Sequence, residues 1–220
     1  MSALDELRAA AAGCTRCALA AGRTQVVFGV GDPHAALMFV GEAPGYHEDL
    51  QGAPFVGRSG QLLDRLVRQE LGVDRSQCYI ANVVKCRPPG NRDPRPEEIA
   101  ACRPYLDEQV HLIGPQVVVT LGNFATRALL GTAEGISRAR GKSYRFGSVH
   151  LVPTYHPAAA LRGGGDMVAE MRADLVRAKA LLGSRPSATP DHVPTPTGAS
   201  ISTRGEPVRG DHAEPLQEEP

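Results

Sequence analysis

Three side chains with catalytic capacity fall at or just past the ends of short apolar runs. Glu42 follows LMFV, Asn82 lies within CYIANVV, and His156 follows the run that ends at Thr154. A fourth residue, Phe55, sits in the loop after Glu42. Together they supply a carboxylate, a carboxamide with both a donor and an acceptor, an imidazole and an aromatic face. Taken singly each has a plainer role, since an asparagine often caps a turn and a lone histidine is more often structural than catalytic. Their recurrence at successive strand ends makes them a candidate site.

The elements that must position them can be read from periodicity. Runs at 37–40, 78–84, 116–121 and 149–154 have the apolar, β-branched character of buried strands. Helical patterns occupy 4–12, 59–71, 95–113, 123–130 and 166–182. Ser59 is the expected N-cap of the second, and Pro96, Glu97 and Glu98 suit the first turn of the third. Alternating strands and helices predict an α/β fold, a parallel sheet covered on both faces. The stretch 142–153 also has a hairpin pattern about Gly147-Ser148, so one antiparallel edge is expected. In open sheets of this kind, ligands bind beyond the carboxyl ends of the strands. The segment 41–63, GEAPGYHEDLQGAPFVGRSGQLL, begins at such an end. Its glycines let backbone N–H groups approach a ligand and its prolines fix the loop, although an ordinary strand-to-helix connection uses the same residues.

The cysteines form a second constellation. Cys14-Thr15-Arg16-Cys17 is a C-x2-C pair, and Cys86 and Cys102 follow far downstream, separated by fifteen residues. In a reducing compartment such a set usually binds metal. Four thiolates suit tetrahedral zinc or an iron–sulfur cluster, and the spacing does not choose between them. A redox dithiol with two incidental cysteines is the alternative. Cys78, inside a strand run, reads as a buried small hydrophobe.

The chain has 220 residues, with 24 basic and 24 acidic side chains. The segment 184–220 carries three arginines against six acidic residues, seven prolines and no aromatic residue. Its composition predicts a disordered tail and leaves a basic excess on a domain at 1–183. No apolar run is long enough to span a membrane, and the N-terminus lacks the apolar core of a signal peptide. A cytoplasmic monomer without a membrane partner is expected.

GEAPGYHED, GAPFVGRSGQLL, NVVKCRPPGNRDP and TYHPAAALR, together with the four cysteines, resemble the iron–sulfur (family 4) uracil-DNA glycosylases over residues 4–182. The resemblance implies a three-layer α/β/α sandwich with a central four-stranded parallel sheet. It also implies a structural [4Fe–4S] cluster on Cys14, Cys17, Cys86 and Cys102. The implied reaction flips uracil out of DNA and hydrolyses its N-glycosidic bond, leaving an abasic site. Phe55 would then stack on the base, and Asn82 would donate to uracil O4 and accept from N3–H. His156 would donate to O2, the Ala43 N–H would add a contact, and Glu42 would serve the sugar side. Asn91 matches a position tied to the active-site network. Glu48 matches one that excludes a 5-methyl group, although the rings of Tyr46 and His47 are alternatives for that task.

Arg138, Arg140, Lys142 and Arg145 form a basic stretch without an acid, and Lys85, Arg87, Arg92 and Arg95 flank the third cysteine. They are expected phosphate contacts or, alternatively, solvated loops. Leu161 and Arg162 precede three glycines, an expected wedge loop with an adjoining DNA contact. Two other classes remain on the residues alone, a non-catalytic nucleic-acid-binding metal module and an electron-transfer protein. Neither explains the convergence of Glu42, Asn82 and His156. Relatives that trap DNA covalently carry a histidine-containing insertion, whereas PPGNRDP here has none, so turnover is expected.

Overall fold

The computed structural model describes residues 1–183; the expected disordered tail lies outside them. Their six strands are β1 (Val30–Gly31), β2 (Leu37–Gly41), β3 (Tyr79–Asn82), β4 (Val117–Leu121), β5 (Tyr144–Phe146) and β6 (Val149–Thr154). They form one sheet in the order β1-β3-β2-β4-β6-β5. β3, β2, β4 and β6 are mutually parallel, which is the expected four-stranded core. β1 and β5 add an antiparallel strand at each edge, and the β5–β6 pair is the predicted hairpin.

Eight α-helices accompany the sheet: α1 (Ala3–Ala12), α2 (Tyr46–Gln51), α3 (Arg58–Leu66), α4 (Pro96–Ile113), α5 (Asn123–Leu130), α6 (Ile136–Ala139), α7 (Pro157–Gly163) and α8 (Gly165–Leu181). Strand side chains alternate between faces. Met38 and Val40 therefore pack with Leu106 of α4 and Leu129 of α5, while Leu37 and Phe39 pack with Leu63 and Leu66 of α3 and Leu175 of α8. Full burial of such a side chain contributes about 1.5–3 kcal/mol. Two apolar layers on one sheet make the three-layer sandwich.

The parallel register sets the site. Gly41 lies beside Asn82, and Leu121 beside Thr154, so the carboxyl ends of β2, β3, β4 and β6 reach one edge together. Connections from β2 lead through α3 to β3 on one side, and from β3 through α4 to β4 on the other. That reversal opens the crevice in which open α/β sheets bind ligands. β3 is shorter than the predicted run at 78–84. Beyond it the Val83 and Val84 N–H groups still donate to the carbonyls of Gly41 (2.9 Å) and Glu42 (3.1 Å), holding the loop that carries Glu42.

Ser59 does not cap its helix. Gly57 is the N-cap, α3 begins at Arg58, and a π-helical turn at Val67–Leu71 follows it. The helix starts earlier because the Glu48 carboxylate accepts from the Val56 and Gly57 N–H groups, so an outside side chain serves this helix end. The expected wedge loop is mostly helix. Leu161 and Arg162 belong to the last turns of α7, with only Gly164 between α7 and α8.

Candidate active site

A cavity of about 680 Å³ opens at the carboxyl edge of the sheet, a size suited to a small ring system. Glu42, Ala43, Glu48, Phe55, Asn82, Asn91, His156 and Arg162 all line it, as do Ser59 and Asp93. Two features let Asn82 and Phe55 lie so close together. A Cβ at Gly41 would stand 2.4 Å from Asn82 Oδ1 and 2.6 Å from Phe55 Cζ, so only glycine leaves room. A Cβ at Gly60 would stand 1.7 Å from the Phe55 carbonyl oxygen, so the start of α3 can press against the loop.

Asn82 is 2% exposed, and its Oδ1 has no hydrogen-bond partner. A buried acceptor left in this state costs about 1–3 kcal/mol, which a ligand N–H can recover. Phe55 holds φ at 54°, a strained backbone for a residue with a side chain, costing about 1–3 kcal/mol. Its ring faces that of His156 at 5.6 Å between centroids and 30° between planes.

His156 caps α7 with its ring. Nδ1 accepts the Ala158 N–H at 3.1 Å, which places the imidazole proton on Nε2. Burial, reinforced by Arg162 and opposed by Glu48, pushes its pKa down to about 4. The ring is therefore neutral at pH 7 and offers a fixed Nε2–H donor. Glu42 moves the other way: burial first, and Asp93 second, push its carboxyl up to about 7. A carboxylate with that pKa can take a proton from water near neutrality.

The Glu48 carboxylate accepts from the N–H groups of Gly45 (3.2 Å), Val56 (3.1 Å) and Gly57 (3.4 Å), which ties the two halves of the loop together at the cavity wall. Tyr46 and His47 are exposed, Tyr46 by 51%, and neither lines the cavity. Asn91 occupies a one-turn segment (Pro89–Asn91) with φ at 55°. Its Oδ1 accepts from Arg87 Nε at 2.7 Å, and the Arg87 guanidinium lies over the Tyr46 ring.

The basic residues divide. Arg138 and Lys142 are exposed and make no ion pair among the described residues. Arg140 binds Glu170 and Asp174 of α8, each at 3.0 Å, and lies over Tyr155 with 14% of its side chain exposed. The acids missing from its own stretch come from another helix. Lys85 is not at the surface: it is 2% exposed, and its Nζ donates to the Asn82 carbonyl (2.7 Å) and Gln109 Oε1 (2.5 Å). Arg92 is held by Glu98 at 2.6 Å.

Cys14, Cys17, Cys86 and Cys102 line one small cavity beneath α1, apart from the first. Arg23 Nη1 donates to Cys86 Sγ at 3.3 Å, and the Lys85 backbone N–H donates to Cys102 Sγ at 3.2 Å. Cys78 is buried in the opposite layer, as expected. Sequence reasoning passed over Asp93, two residues after Asn91, and Asn123, which follows β4 as Glu42 follows β2. Asn123 lines the cavity and its Oδ1 accepts the Ile136 N–H at 2.7 Å. The same strand-end rule applied to β4 finds it.

A sheet edge that combines an unsatisfied amide acceptor, a fixed imidazole donor, an aromatic face and a high-pKa carboxylate has groups complementary to a planar ring with N–H and C=O edges. The chain belongs to the Uracil DNA glycosylase superfamily, whose family model matches residues 28–178. It is similar to a type-4 uracil-DNA glycosylase of Sulfurisphaera tokodaii, 46% identical over 169 residues that cover 73% of this chain and 77% of that protein. A type-4 uracil-DNA glycosylase of Thermotoga maritima is 47% identical over 151 residues, 68% of this chain and 78% of that protein. A type-5 uracil-DNA glycosylase of Pyrobaculum aerophilum is 32% identical over 163 residues, 67% and 72% of the two chains.

Proposed function

We propose that this chain excises uracil from DNA by hydrolysing the N1–C1′ bond and releasing an abasic site. The observation that carries this reading is the buried, unpartnered Oδ1 of Asn82 in the same cavity as the neutral His156. Uracil presents an N–H between two carbonyls. Asn82 Oδ1 accepts from N3–H and its amide donates to O4, whereas cytosine offers the reverse pair. His156 donates from Nε2 to O2, where negative charge gathers as the base departs. A preorganised donor of that kind typically lowers the barrier by about 2.7–4 kcal/mol. Phe55 stacks on the flipped ring and the Ala43 N–H adds a further contact. Glu48 fixes the wall against which a 5-methyl group would press.

Bond cleavage sends the N1–C1′ electron pair to the base and leaves positive charge on the sugar. Glu42 takes a proton from the attacking water as its oxygen bonds to C1′, and that proton finally neutralises the uracil anion. Asn91 helps hold the water. The exposed Arg138 and Lys142, with Arg162 at the cavity, contact phosphates; Arg140 is left out because its charge is already paired. The acting unit is a monomer.

The four cysteines fit an iron–sulfur cluster. They share one cavity and two of their sulfurs receive N–H bonds, a pattern that suits thiolate ligands. Among the described residues no group of three or more His, Cys, Asp or Glu gathers closely enough for one metal ion. The positions of the sulfurs do not choose between zinc and a cluster; the resemblance to the family 4 enzymes is what favours [4Fe–4S]. Held there, the cluster would pin α1 to the segment between β3 and α4, and it takes no part in bond cleavage.

The test is incubation with a uracil-containing oligonucleotide followed by alkali. Strand cleavage at uracil and none at cytosine or thymine is expected. An intact strand after alkali would sink the reading.

A further inference from the structure

The strained backbone at Phe55 has a specific restraint. Arg75, from a 3-10 turn (Arg75–Gln77) just ahead of β3, donates from Nη1 to the Phe55 carbonyl at 3.0 Å and from Nη2 to the Pro54 carbonyl. Asp64 of α3 fixes the guanidinium at 3.0 Å. On the other flank, Glu48 holds the next two N–H groups, those of Val56 and Gly57. Four successive residues, 54–57, are thus gripped by two opposite charges from outside that stretch. Phe55 sits between them with φ at 54°.

We propose that Arg75 is a positioning residue for base recognition, acting through Phe55. It rests on the reading of Phe55 as the stacking face. A planar, two-pronged cation holds two successive carbonyls in one fixed fork geometry, which the single rotating ammonium of a lysine does not impose. Pulling both carbonyls to one side sets the peptide planes that flank Phe55 and aims the ring into the cavity. The same residue leads directly into β3, whose far end carries Asn82. Stacking face and base-edge reader are therefore fixed to one frame, and the ring needs no reorganisation when the base arrives. Nothing in the local sequence of 54–57 would keep a phenylalanine in this conformation.

The experiment is a double-mutant cycle on the intact protein, with kcat and KM measured for wild type, Arg75→Met, Phe55→Ala and the double variant, and a thermal melt for each. Arg75→Met is expected to lower kcat/KM roughly ten- to a hundredfold while still melting cooperatively. In the Phe55→Ala background the same change should alter kcat/KM by no more than about twofold, because the ring it positions is gone. Arg75→Lys, which keeps the charge and donors without the rigid fork, should recover part of the loss. Losses that multiply in the double variant, or wild-type kinetics from Arg75→Met, would overturn the proposal. Should Arg75→Met fail to melt cooperatively, Arg75→Gln carries the same cycle. A wild-type protein that leaves uracil in place strikes the glycosylase reading itself; multiplicative losses in an active enzyme strike only Arg75.

Discussion

Gly41→Ala is the sharpest perturbation of the site, because it adds one carbon and removes nothing. Gly41 does not occupy the left-handed region, so alanine fits its backbone and only the new contacts matter. The added Cβ stands 2.4 Å from Asn82 Oδ1 and 2.6 Å from Phe55 Cζ, against ordinary contact from 3.4 Å outward. Asn82 is 2% exposed and Phe55 7% exposed, so the room either has to move is chiefly the cavity they line. One or both must retreat by roughly 1 Å, a displacement that costs about 10²-fold in rate when it misaligns reacting groups. Overpacking of this kind destabilises by about 1–3 kcal/mol, a shift of several degrees in Tm at this size. The assay is single-turnover cleavage of a uracil oligonucleotide with enzyme in excess, alongside a melt. Gly22→Ala, where a Cβ meets nothing within 4 Å, is the control and should behave as wild type. An unchanged rate for Gly41→Ala would refute the placement of Asn82 and Phe55 at the reacting base.

Activity should rise with pH through about 7 as Glu42 ionises, and Asp93→Asn should move that midpoint downward by removing a repelling charge; a midpoint that stays put in the variant would argue against Glu42 as the base. The folded state also holds the Glu42 proton more tightly than the unfolded chain. Its contribution to stability is full below pH 4.5 and lost as pH rises through about 7, so Glu42→Gln should flatten that part of a stability-against-pH curve. Cys102→Ala should abolish iron content and visible absorbance in an anaerobic preparation, whereas Glu42→Ala keeps both; iron at wild-type level in Cys102→Ala would reject the ligand set. Arg140→Met removes the nearer of two arginines from the fully buried Asp174, which keeps Arg177 at 3.4 Å and the Gly141 N–H at 3.1 Å, and should cost about 1.5–3 kcal/mol in a denaturant melt. Arg138→Ala and Lys142→Ala should spare the melt and each lower the salt slope of DNA binding by about 1. A full salt-slope loss from Arg140→Met in a stable protein would reverse that division.

The strand-and-helix alternation, the glycosylase motifs and the strand-end residues Glu42, Asn82 and His156 were legible in the chain because each depends on near neighbours. A buried strand needs a short apolar run, a loop needs glycine and proline, and one rule about sheet edges connects them. The gathering of four distant cysteines could also be expected, since metal ligands recur in recognisable spacings. Other features depend on segments far apart in sequence and only the tertiary structure decided them. Arg140 looked like a free cation because its acids, Glu170 and Asp174, lie on α8. Lys85 stands two residues from Arg87 like a further surface cation, yet the sheet edge and α4 enclose it. The high pKa of Glu42 and the low pKa of His156 come chiefly from burial, which no local pattern measures. The clamp of Arg75 and Glu48 on Phe55 joins residues 20 and 8 positions apart, across a turn whose shape neither neighbour dictates. The sequence by itself determined which groups can do the chemistry; folding decided their protonation, their aim and which charges remain free, because desolvation and long-range contacts exist only once the layers have closed.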